Sequence, residues 1–154
     1  MDIIKHIIFF LIINFTGLYV GSMLMNNGPS TDWYINLNKA PWTPPGWLFG
    51  VAWTTVMVCF SIYLAYLVAY IKLKLFWLIF ILELVLNVSW NFIFFNQQFI
   101  MFALVILILL LIVTLFYFIN FKMLKLKKIR FLMIPYITWL CIATSLNTYI
   151  FLYN

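Results

Sequence analysis

At 154 residues, with 68% hydrophobic and 8% charged side chains, the chain cannot coat a water-soluble surface, where about a quarter of residues are usually charged. Nine basic against three acidic residues give a formal charge of +6. The basic residues sit almost wholly between hydrophobic runs, where they act as topology determinants, so nucleic-acid binding is not expected.

Uncharged apolar runs predict helices near 6–25, 46–70, 75–95, 99–120 and 131–152, each close to the ~20 residues that cross a hydrocarbon core. The fold class expected is an all-α integral membrane protein, a five-transmembrane-helix bundle forming a single domain over residues 1–154. Before the first span, Lys5 and His6 precede an apolar run in the manner of a weak signal peptide. That run continues through Val20 with no good small-residue cleavage site, so a retained helix is expected. Gly17 and Gly21 form a small-xxx-small pair, as do Gly46 and Gly50 in the second span. Such pairs let helices approach closely, within the bundle or between protomers.

The first loop, Asn26 to Pro45, is the one connection long enough for structure of its own, and it carries Asp32, Trp33, Tyr34, Lys39 and Trp42. It is the natural lid. Thr43 is expected to cap the second helix, with Pro44 and Pro45 fixing its entry. Trp53 lies about two turns inside that helix, too deep for an interfacial anchor, whereas Trp33, Trp42 and Trp77 suit the membrane interface.

In the third span Glu83, Asn87 and Asn91 recur every four residues and share a face, with Trp90 and Phe94 alongside. An unpaired carboxylate in hydrocarbon costs several kcal/mol, so Glu83 is expected to be protonated, near the membrane edge, or paired. A helix-to-helix hydrogen-bond anchor is one reading; a pocket or proton-pathway role is the other. Asn96, Gln97 and Gln98 break the third span from the fourth in a tight hairpin. In the fifth span Pro135 is tolerated near the start, with a bend as the alternative, and Trp139, Ala143 and Asn147 repeat every four residues. That face could oppose the stripe on the third helix. Cys59 and Cys141 lie in apolar stretches and read as small buried hydrophobes.

With five spans, one membrane face collects Lys5, Lys72, Lys74, Lys122, Lys125, Lys127, Lys128 and Arg130, and the other holds only Lys39. The positive-inside rule then puts the N-terminus in the cytoplasm and the long loop and C-terminus outside. A hollow lined by Trp53, Trp90 and Trp139 with a few amides has the chemistry for a flat apolar ligand with polar edges. Conventional catalysis has no signal: His6 is the sole histidine, no residues have metal-ligand spacing, and no phosphate-binding glycine loop occurs. Neither a metal nor a cofactor is expected, and no internal repeat suggests a transporter.

The run APWTPPGWLFGVAW, Ala40 to Trp53, resembles the signature of the tryptophan-rich sensory protein or translocator protein family, TspO, also called the peripheral benzodiazepine receptor family. LNVSWNFIFF (Leu86 to Phe95) and PYITWLCIATSLN (Pro135 to Asn147) agree, so the resemblance covers nearly the whole chain in order and spacing. It implies a five-helix bundle, usually dimeric, with a pocket beneath the first loop for porphyrins such as protoporphyrin IX and haem, for benzodiazepine-type ligands and, in some members, for sterols. Carried over, the pocket would include Tyr34, Trp53, Asn87, Trp90, Trp139, Ala143 and Asn147.

Some bacterial members of that family are associated with light- and oxygen-dependent porphyrin breakdown, which by resemblance would involve Trp53 and Trp139. Two departures limit the transfer. Leu146 and Tyr149 are followed by no basic residue, leaving the cholesterol-recognition pattern incomplete. Glu83 stands where relatives usually carry a neutral amide, and if it faced the pocket, affinity would depend on pH. Abundant Ile, Lys, Asn and Phe point to a bacterial inner membrane, with a mitochondrial outer membrane as the alternative.

Overall fold

A computed structural model describes residues 3–70, 74–120 and 127–154. Lys72, Lys122 and Lys125, used in the charge argument above, lie outside the described residues. The elements are α1 (Ile3–Leu24), a short α2 (Asp32–Asn36), α3 (Gly46–Tyr70), α4 (Lys74–Asn91), α5 (Ile100–Asn120) and α6 (Ile134–Tyr153). All but α2 are long and apolar enough to cross a membrane, and they correspond to the five predicted spans within a few residues. At ~1.5 Å per residue, the 22 residues of α1 are enough for a core of ~30 Å.

The helices turn large side chains outward as well as inward. Leu78, Ile81, Leu82 and Val85 are exposed along α4, as are Ile4, Ile8 and Ile12 along α1, which is how a helix looks when its outer solvent is lipid. The inner faces meet in a core of interlocking rings: Phe10, Phe60, Tyr63, Phe76, Tyr117 and Tyr136 are fully buried. Several buried polar groups are paired across helices, where such bonds help hold a lipid-exposed bundle together. Asn14 on α1 donates to Ser61 Oγ on α3 at 2.8 Å, and the Tyr63 hydroxyl donates to the Tyr117 carbonyl at 2.9 Å.

Close approach of α1 to α4 depends on the first glycine pair. A Cβ at Gly17 would come within 2.8 Å of Leu84 Cδ1, and one at Gly21 within 2.7 Å of Asn91 Nδ2. Of the two roles open to that pair, packing within the bundle is the one seen. Gly46 and Gly50 differ, since a Cβ at either would meet nothing within 4 Å.

The 26–45 loop folds into a cap. Asn26 and Asn27 adopt left-handed backbone angles (φ 47° and 59°), a conformation Asn tolerates. The chain then passes so close to the α4 end that a Cβ at Gly28 would lie 2.4 Å from Phe95 Cβ. Thr31 Oγ1 caps α2 by accepting from the Tyr34 amide at 3.4 Å. The far end of the loop is tied to α6: Asn38 donates its backbone N–H to Asn154 Oδ1 (2.9 Å) and its amide nitrogen to the Tyr153 carbonyl (3.0 Å). Trp42 adds an Nε1 bond to Ser145 Oγ (3.2 Å) and an edge contact with Tyr149.

Two local expectations need correction. Thr43 does not cap α3; its hydroxyl donates back to the Ala40 carbonyl at 2.7 Å, closing a turn of the loop, because two prolines separate it from the helix start at Gly46. Cys141 is exposed on the outer face of α6, and Cys59 is half-buried, so only the latter approaches the buried role expected of both. Pro135 occupies the first turn of α6, where its missing N–H costs no helical bond.

The α4–α5 hairpin forms as predicted, with an added detail. After Asn91 the helix loosens into a π-turn over Phe92–Asn96, closed by Gln97 N–H to the Phe92 carbonyl at 3.0 Å. Gln98 then reverses the chain with φ 57°.

Candidate functional site

Beneath the cap lies a cavity of about 570 Å³, within the range usual for small-molecule sites. Its wall is assembled from the loop and from α1, α3, α4 and α6. Leu18, Ser22 and Met25 come from α1 and its extension, Tyr34, Lys39 and Thr43 from the loop, and Phe49, Gly50 and Trp53 from α3. The α4 end gives Trp90, Asn91, Phe94 and Phe95, and α6 gives Ala143, Leu146, Asn147 and Ile150.

Five of the seven residues that the family resemblance assigned to the pocket therefore share one cavity: Tyr34, Trp53, Trp90, Ala143 and Asn147. Trp90 stacks on Phe94 (centroids 5.3 Å, interplanar 11°), and its Nε1 donates to Asn147 Oδ1 at 3.4 Å. Asn147 in turn donates Nδ2 to the Ile100 carbonyl at 3.1 Å, so its amide ties α4, α5 and α6 together at the cavity wall. The stripes on α4 and α6 do face one another, through this bond and through Asn87 and Tyr136. Tyr34 packs against Phe94 and Phe95, and its partial burial raises the phenol above its ordinary value, keeping it neutral.

Trp139 and Asn87 are placed differently from the expected lining. Trp139 is 5% exposed and sits behind the wall, edge-on to Phe49 (5.2 Å) and to Trp53 (6.4 Å). It supports Trp53 instead of presenting its own face. Asn87 donates Nδ2 to the Tyr136 hydroxyl at 2.7 Å, and that hydroxyl donates to Glu83 Oε1. Asn87 is thereby committed to an α4–α6 bond one turn below the cavity.

Glu83 is buried but does not line the cavity. It borders a separate crevice with Asn14, Met57 and Leu84 that has no room for a water molecule. The reason is helical pitch: four-residue steps drift by about 40° each, so Glu83 and Asn91 point about 80° apart at different depths. Asn91 reaches the cavity, and Glu83 is left to pair with Tyr136. Of the readings open to Glu83, a hydrogen-bond anchor between helices is the one its surroundings supply.

Sequence reasoning did not anticipate the contributions of α1, of Phe94 and Phe95 together, or of Lys39 and Gly50. Lys39 carried a usable signal, being the one basic residue in the first loop. The α1 residues carried none, since Leu18 and Ser22 look like any lipid-facing pair.

The arrangement offers aromatic faces, a few fixed amides and one cation under a polar cap. Among the described residues no three His, Cys, Asp or Glu side chains come together as a metal site would need. Comparison with known proteins agrees with the motifs in the sequence. The profile of the TspO/MBR family matches residues 9–153. The chain is 33% identical over 150 residues to the tryptophan-rich protein TspO of Bacillus cereus, covering 96% of this chain and 95% of that one. It is 31% identical over 159 residues to the TspO of Archaeoglobus fulgidus, covering 100% and 99%. The human translocator protein is 30% identical over 141 residues, covering 85% of this chain and 79% of its own. With an all-helical five-span bundle and a family match over nearly its whole length, the chain is an integral membrane protein belonging to the TspO/MBR family.

Proposed function

We propose that this protein is a membrane receptor for porphyrins, such as protoporphyrin IX and haem, and for similar flat apolar ligands, with a sensory or tetrapyrrole-clearing role. The observation that carries this reading is the 570 Å³ cavity whose wall combines the Trp53, Trp90 and Phe94 rings with the Asn91 and Asn147 amides. Rings of this kind stack on an extended π-system, and amides orient its edge. The test is quenching of tryptophan fluorescence by protoporphyrin IX in detergent. Saturable quenching that weakens when Trp53 is replaced supports the reading; quenching that never saturates, or ignores Trp53, defeats it.

A second reading, light- and oxygen-dependent porphyrin degradation, is favoured by one contact. Trp53 touches the cavity on one side and the Trp139 and Tyr136 rings on the other, at 6.4 and 6.2 Å, so an oxidised indole has aromatic electron donors behind it. Turnover would give a defined product under illumination that oxygen removal stops. Equal bleaching by a variant lacking the pocket tryptophans would rule it out. Vectorial transport of porphyrin or sterol ranks third, and the missing basic residue after Tyr149 weighs against the sterol version.

The same proposal includes a homodimer in a bacterial inner membrane, with the N-terminus cytoplasmic and the cap outside. The clustering of basic residues at the end opposite Lys39 supports the orientation. Cysteine labelling of a loop residue in intact cells would test it.

A further inference from the structure

Apart from Lys39, every side chain lining the cavity is uncharged. We propose that Lys39 forms an anion subsite at the cavity mouth, so that the preferred ligands are ring compounds with a carboxylate on one edge, bound ring inward and carboxylate beneath the cap. The inference rests on the cavity being a ligand site and adds to it an orientation and a chemical class.

Lys39 is half-buried, and its surroundings leave the ammonium incompletely satisfied. An ammonium has three N–H donors. One goes to the Ile35 carbonyl at 3.1 Å, and the positive charge lies over the Tyr34 ring at 4.6 Å. Among the described residues no carboxylate lies in ion-pair range of it. A half-buried cation at the edge of an apolar hollow keeps donors free on its inner side, and a carboxylate there supplies both a counter-charge and the missing hydrogen bonds.

The lysine is also held in position. Its neighbour Asn38 is bound through backbone and side chain to Asn154 and Tyr153 at the end of α6, so the stem of Lys39 does not swing with a loose loop. The Tyr34 ring beneath it packs on Phe94 and Phe95, which themselves line the cavity. The cation is therefore fixed relative to the aromatic wall, as a subsite must be if it is to choose between ligands. A wholly neutral ligand of the same outline fills the hollow but leaves Lys39 without a counter-charge.

The experiment compares protoporphyrin IX, a dicarboxylate, with its dimethyl ester, titrated by tryptophan quenching in one detergent against wild type, Lys39→Gln and Lys39→Arg. Partition into micelles differs between the two porphyrins, so the quantity read is the acid-to-ester affinity ratio of each variant relative to wild type. The expected result is a ratio about tenfold lower in Lys39→Gln, through weaker acid binding alone, and near wild type in Lys39→Arg. An unchanged ratio in Lys39→Gln overturns the subsite while leaving the cavity reading intact. If neither porphyrin binds saturably to wild type, the cavity reading itself falls, and the subsite with it.

Discussion

The Tyr136 hydroxyl donates to the Glu83 carboxyl while accepting from Asn87 Nδ2 at 2.7 Å, closing a three-residue link between α4 and α6 in the centre of the bundle. All three side chains are buried, and Glu83 and Tyr136 lie off the cavity wall. Replacing Glu83 with Gln should therefore leave porphyrin affinity and its pH profile unchanged, because the amide can still accept from Tyr136. Tyr136→Phe should instead lower stability by about 1–3 kcal/mol, the cost of stranding two buried polar partners. Thermal unfolding in detergent reads the second effect and a pH series of titrations the first. A pH profile altered by Glu83→Gln would place that carboxyl in contact with the ligand after all.

The two tryptophans expected to act as a pair should separate on substitution. Trp53 lines the cavity, so Trp53→Ala should weaken porphyrin binding about tenfold or more. Trp139 is support: Trp139→Phe should lower stability by about 1–2 kcal/mol and affect binding less. Among the described residues its buried Nε1 has no hydrogen-bond partner, so the phenyl ring sacrifices volume but no bond. Equal losses of affinity in the two variants would contradict this division.

Glycines should respond according to what stands opposite them. Gly50→Leu projects into the hollow and should abolish binding without lowering the unfolding temperature, since open space surrounds that position. Gly28→Ala forces the cap off Phe95 and should destabilise by about 1–3 kcal/mol. Circular dichroism melts alongside ligand titration distinguish the two cases.

The cap is joined to α6 by the Asn38 and Asn154 pair and by Trp42. Asn38→Ala should speed ligand release more than it changes stability, because these bonds are exposed and each contributes about 1 kcal/mol or less. Stopped-flow displacement measures it, and an unchanged release rate would mean the ligand leaves by another route.

Alkaline titration supplies a further check. Burial raises the Tyr34 phenol above its ordinary value of 10.0, so the contribution of its neutral form is complete below that value and is lost only as pH climbs through the higher, folded one. Binding should be insensitive to Tyr34 up to pH 9, and Tyr34→Phe should not change the slope there. A loss of affinity below pH 9 that Tyr34→Phe removes would contradict this.

The spans and the cap were readable in the sequence because lipid imposes a length and a polarity that composition reports directly. Membership of the cavity was readable only in part. Trp53, Trp90, Ala143 and Asn147 were legible from motif and spacing, whereas Asn87 and Glu83 shared their stripe with Asn91 and were turned aside by pitch and by Tyr136. Which of several residues on one helical face meets the hollow depends on the partner helix, and a single-chain pattern does not contain that partner. The apolar lining from α1 was hidden for the opposite reason: a residue facing lipid and one facing an apolar hollow are chemically alike.

The π-turn at Phe92–Asn96 carries a consequence for insertions and deletions. A wider turn accommodates one residue beyond regular α-helical winding, and here it lets Phe94 and Phe95 both reach the hollow while their rings meet edge to face at 4.9 Å. Removing a single residue from this segment would restore uniform winding, in which neighbouring side chains stand about 100° apart, and would leave room for only one of those rings on the side of the hollow. Length in these five positions should be far less negotiable than residue identity, an inversion of what holds along the outer faces of the same helices.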